Sequence, residues 1–60
     1  MTNQEMILEQ YIVDGQLIYI ITRHIYTNEY YFKVPNKSGF KTISSSYQGD
    51  FEKEKKKWAN

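Results

Sequence analysis

The sequence predicts an α+β fold, a four-stranded antiparallel β-meander with one C-terminal α-helix packed on one face. Three observations predict it. Asp14-Gly15 sits between two apolar runs, where a two-residue turn joins antiparallel strands. β-branched and aromatic residues then fill the chain as far as Val34, punctuated by turn formers. From Ser46 onward acidic residues precede basic ones, as a helix dipole favours.

Asp14-Gly15 suits a type I′ turn because both of its positions need positive φ. The first strand therefore covers about 6–13 and the second about 16–26. Asn28-Glu29 is the next turn, since Asn takes the left-handed conformation readily. It leads to a third strand of about 30–35, "YYFKVP", where Pro35 ends the pairing for want of an amide hydrogen. "PNKSG" reads as a loop and "FKTIS" as a fourth strand of about 40–44. The helix follows at about 50–59, with Ser46 or Asp50 as candidate N-caps. Phe51 and Trp58, seven apart, make one apolar stripe on it, which Tyr47 extends if the helix starts early.

The two turns set a register. Position 12 pairs with 17 and 11 with 18, and 26 pairs with 31 and 24 with 33. Alternation then gives one face Leu8, Ile12, Leu17, Tyr19, Ile21, Ile25, Phe32 and Val34, the expected seat of the helix. The other face receives Ile7, Tyr11, Val13, Ile18, Ile20, Thr22, His24, Tyr26, Tyr31 and Lys33. One helix covers one face, so the second needs a partner. Tyr26, Tyr31, His24 and Lys33 are its candidate binding or dimer surface, with Ile18 and Ile20 as the apolar floor.

The 60 residues form one domain, near the lower size limit for independent folding. With no cysteine and one histidine, neither disulfides nor the usual zinc ligands reinforce it. A homodimer is the expected remedy. The longest apolar run, Leu17 to Ile21, is far too short to cross a bilayer, and "MTNQEM" lacks the features of a signal peptide. The expected location is cytoplasmic, that of the host cell if the chain is phage-encoded. The net charge of +1 hides a split. Residues 1–32 carry four acids against Arg23, a sum of −3, and residues 33–60 carry seven lysines against three acids, a sum of +4. That asymmetry fits either an anionic partner or solubilising lysines on edges.

Catalytic chemistry finds little footing. There is one His, one Arg, no Cys, no G-x-S-x-G motif and no glycine-rich phosphate cradle, so a non-enzymatic protein without cofactor or metal is expected. His24 is expected opposite Lys33, as a cross-strand residue with no chemical role. Two ligand readings stand beside protein–protein interaction. One is a single-stranded nucleic-acid module, with tyrosines stacking on bases and Lys33 on phosphate. The other is a dimeric sponge for an anionic nucleotide. The sheet face fits protein contact better, because Tyr, Phe and Ile dominate interface cores. The edge of the fourth strand offers a second route, by strand addition.

From "MTNQEMILEQYIVDGQLIYIITRHIY" to "FEKEKKKWAN", the chain resembles in genre the very small, cysteine-free, Tyr-, Lys-, Ile- and Asn-rich proteins of phages and mobile elements of low-GC bacteria. That resemblance implies a stoichiometric role: blocking a host enzyme or defence protein, or sequestering a signal. It assigns no site residue.

Overall fold

The computed structural model describes residues 4–59. Four strands, β1 (Glu5–Val13), β2 (Gln16–His24), β3 (Tyr30–Asn36) and β4 (Gly39–Ser46), precede one helix, α1 (Glu52–Ala59). The strands form one antiparallel sheet in the order β1-β2-β3-β4. The α+β meander with a C-terminal helix is therefore the observed architecture.

The first turn forms as its residues dictate. Asp14 has φ 53° and Gly15 φ 78°, the pair of positive angles that a type I′ turn requires. Val13 pairs with Gln16 and Ile12 with Leu17. Beyond that the register departs from simple alternation, because Ile18 is a bulge on β2 and Leu8 a bulge on β1. Tyr11 consequently pairs with Tyr19, not with Ile18. An extra residue in one strand reverses which face its later neighbours occupy.

The second connection is longer than a two-residue turn. β2 stops at His24, residues 25–29 form the loop, and Arg23 pairs with Tyr30. Asn28 does take the left-handed conformation, at φ 62°, and its amide donates to the His24 carbonyl at 3.0 Å. The register slips by four residues, an even number, so β2 and β3 keep the predicted relation of faces. Pro35 lies inside β3, not at its end, and pairs with Phe40. Its nitrogen faces β2 beyond the last β2–β3 pair, Ile20 with Lys33, where no donor is needed.

The core sits between the sheet and the segment leading into α1. Tyr19, Ile21, Phe32, Val34 and Phe51 are buried together, with Tyr11, Ile18, Tyr30 and Trp58 packed around them. Phe51 precedes α1 and Lys55 N donates to its carbonyl, so Phe51 holds the N-cap position expected of Ser46 or Asp50. Ser46 instead accepts from Gln48 N in the approach to the helix. Tyr47 is exposed and extends no helical stripe. Leu8 and Ile12, expected under the helix, are exposed; the bulge at Leu8 gives that place to Tyr11.

Candidate functional site

The far face of the sheet is organised around one carboxylate. Thr22 Oγ1 donates to Glu5 Oε1 at 2.9 Å, and Lys33 Nζ bonds the same oxygen. Glu5 on β1, Thr22 on β2 and Lys33 on β3 are thereby tied across three strands. Lys33 is the main reason the Glu5 carboxyl is held below its ordinary range. The ammonium also stands 5.5 Å from the centre of the Tyr31 ring. The Tyr31 hydroxyl donates to Glu29 at 2.8 Å, which, with burial, raises its pKa.

This network covers what was expected to be an open apolar floor. Thr22 is buried beneath the Glu5–Lys33 pair, and Ile20 is buried between its cross-strand neighbours Gln10 and Lys33. Ile18 leaves this face altogether: its bulge turns it toward the core, where it packs beside Tyr19 and lines a groove with Val34 and Trp58. His24 lies opposite Glu5, not opposite Lys33.

The 25–29 loop is built on His24. Its Nδ1 accepts from Tyr26 N at 3.2 Å and from Thr27 N at 3.3 Å. Thr27 Oγ1 accepts from Glu29 N, and His24 N donates to the Glu29 carbonyl. The loop is fixed on both sides, and at its tip Tyr26 is 71% exposed with Ile25 exposed beside it. The rings of His24 and Tyr26 lie 6.1 Å apart. Of the six residues singled out from sequence, His24, Ile20, Tyr31 and Lys33 share the sheet face, Tyr26 projects beyond it, and Ile18 is elsewhere.

Sequence reasoning missed two features. Glu5 is the hub of the polar network; the turn register alone sets it opposite His24 and beside Thr22, but the four-residue slip between β2 and β3 is what brings Lys33 within its reach. The other feature is β1 itself. Met6, Ile7, Leu8, Ile12 and Val13 are all exposed, on a strand that among the described residues pairs with β2 alone. A groove of about 680 Å³ between the first turn and α1 is lined by Gly15, Gln16, Leu17, Ile18, Val34, Pro35 and Trp58. It contains none of the Tyr, His or Lys groups that a nucleotide pocket would use. Among the described residues no His, Asp and Glu cluster could hold a metal ion, and no helix is long and apolar enough to cross a membrane. No protein-family model, no curated protein and no solved structure matches the chain, so its functional reading rests on its own surface chemistry.

Proposed function

We propose that the chain is a non-enzymatic binding protein that acts by stoichiometric contact with another protein. More specifically, we propose a phage-encoded inhibitor that blocks a bacterial host or defence protein. The observation that carries the reading is Tyr26, 71% exposed on a loop whose backbone is held by His24 and Thr27. A large aromatic on a preorganised loop loses little entropy on docking, which is the property of an interface anchor. Ile25 supplies apolar area beside it. The step to a phage inhibitor is supported by the resemblance in composition alone.

The single-stranded nucleic-acid reading draws less support from the same face. Its cation, Lys33, is paired with Glu5, and the Tyr31 hydroxyl is held by Glu29. Affinity for a labelled oligonucleotide that falls steeply with salt would reinstate it.

Tagged wild-type protein and a Tyr26→Ala variant, incubated with host lysate, provide the test. The expected result is one partner retained in stoichiometric amount by the wild type, with at least about ten-fold weaker binding by Tyr26→Ala, the loss typical of an anchor residue. Equal recovery by both forms would remove the loop from consideration.

A further inference from the structure

We propose that β1 is the contact between two copies of this chain, joined edge to edge in antiparallel fashion about a two-fold axis at Gln10. The proposal rests on no part of the Tyr26 reading and concerns a different surface.

The first argument is the strand's own pattern. β1 carries exposed aliphatic side chains along its length: Met6, Ile7, Leu8, Ile12 and Val13. An edge strand with one buried face should alternate apolar with polar; a strand apolar on both faces reads as an interior one. β2 provides the comparison within this molecule, since its run from Tyr19 to Thr22 is buried on both faces. Apart from the bulge at Leu8 and its two acids, β1 carries none of the devices that protect an edge, having no lysine, arginine or proline, while the opposite edge, β4, carries Lys41 and three serines.

The second argument is register. Glu5 pairs with His24 without direct hydrogen bonds, as the Ile25 N to Gln4 carbonyl bond requires. Following the register from there, and allowing for the bulge at Leu8, the amide and carbonyl groups of Ile7, Gln10 and Ile12 point away from β2. With Leu8 set aside as the bulge, the aliphatic positions of the strand, Met6 and Ile7 on one side and Ile12 and Val13 on the other, are symmetric about Gln10. A two-fold axis there places Gln10 opposite Gln10 and Ile7 opposite Ile12 of the second copy, with outward backbone groups meeting outward backbone groups. Between these, Met6 faces Val13 and Glu9 faces Tyr11 of the second copy. In every pair both side chains lie on the same face of the extended sheet. A shift of one residue destroys this match.

Charge and area agree. Glu9 is paired with Lys55 at 3.3 Å and Glu5 with Lys33, so the acids of β1 are neutralised within their own copy. The only like-charge juxtaposition, Glu5 with Asp14 of the second copy, falls at the rim, where solvent screens it. The chain exposes 4671 Å², against about 4,100 Å² for a compact monomer of this mass. The excess, roughly 570 Å², approaches the area of about 800 Å² that each partner buries in a stable interface.

The test uses the full chain. Light scattering after size-exclusion chromatography at micromolar concentration should give twice the 7.2 kDa chain mass. Ile7→Lys and Ile12→Lys alter exposed side chains, and each should shift the dimer–monomer midpoint at least ten-fold while circular dichroism stays unchanged. Because the chain has no cysteine, Gln10→Cys isolates the axis. Its two copies should cross-link on mild oxidation, while Asn36→Cys, at the far hairpin, should not. A folded monomer at 100 μM, whatever else it binds, overturns the proposal. So does a dimer unaffected by both lysine variants, or one that cross-links equally at 36 and 10.

Discussion

Glu5 shows how much a single side chain can hold in a molecule this thin. Its carboxylate accepts from Thr22 and Lys33, and those bonds keep it ionised below the ordinary carboxylate value of 4.5. A carboxyl whose native pKa is lowered contributes stability above its unfolded pKa and loses it as pH falls through the native value. Urea midpoints should therefore drop between about pH 5 and pH 2, and Glu5→Gln should be less stable at neutral pH and flatter across that range. A Glu5→Gln curve parallel to the wild type would show that the network contributes nothing. Phe32, fully buried against Tyr19 and Phe51, sets the other extreme. Phe32→Ala should cost about 3–5 kcal/mol, comparable to the whole stability, about 3–9 kcal/mol, expected for 60 residues. Its circular dichroism should be that of an unfolded chain at 37 °C. His24 illustrates what residue-level reading could not supply. Its type and strand were legible, but its use as a loop acceptor depends on where β2 stops. His24→Ala should leave the fold intact and speed amide exchange at Tyr26 and Thr27 specifically.

At the scale of elements, the sequence was most informative where a backbone requirement picks out particular residues. Asp14-Gly15 admits few conformations other than its turn, and the four strands and the helix were all readable from periodicity. The bulges were not: Leu8 and Ile18 each add an apolar residue beside another, Ile7 and Leu17, and Ile43 on β4 is one more β-branched residue in a strand. Nothing in local composition marks any of the three as an extra residue, and the bulge at Ile18 decided that this side chain left the candidate site. Gly49 marks a different constraint, in the approach to α1. It holds φ 71°, and a Cβ there would stand 3.1 Å from the Tyr30 ring. Gly49→Ala should destabilise the fold by at least about 1 kcal/mol through the left-handed backbone alone, and by more through the ring contact. Gly39→Ala meets no neighbouring atoms, but at φ 131° the backbone is one that only glycine holds readily, so it too should lower the urea midpoint, through the backbone alone.

For the whole molecule, extents of 33 × 26 × 16 Å describe a slab, and its radius of gyration, 11.5 Å, exceeds the value of about 10 Å for a compact domain of this length. Length and composition made that shortage of core legible, and with it the expectation of a partner. They could not say which surface the partner takes, because that depends on the edge left free and on the bulge that makes β1 symmetric. The strand order has a further consequence, for time rather than for stability. Every pairing joins neighbours in the chain, β1 with β2, β2 with β3 and β3 with β4, and no connection between strands exceeds five residues. Little loop-closure entropy has to be overcome before contacts form. Refolding should be a single exponential on the order of milliseconds or faster, and any slower phase that quickens with protein concentration would be the meeting of two already folded chains.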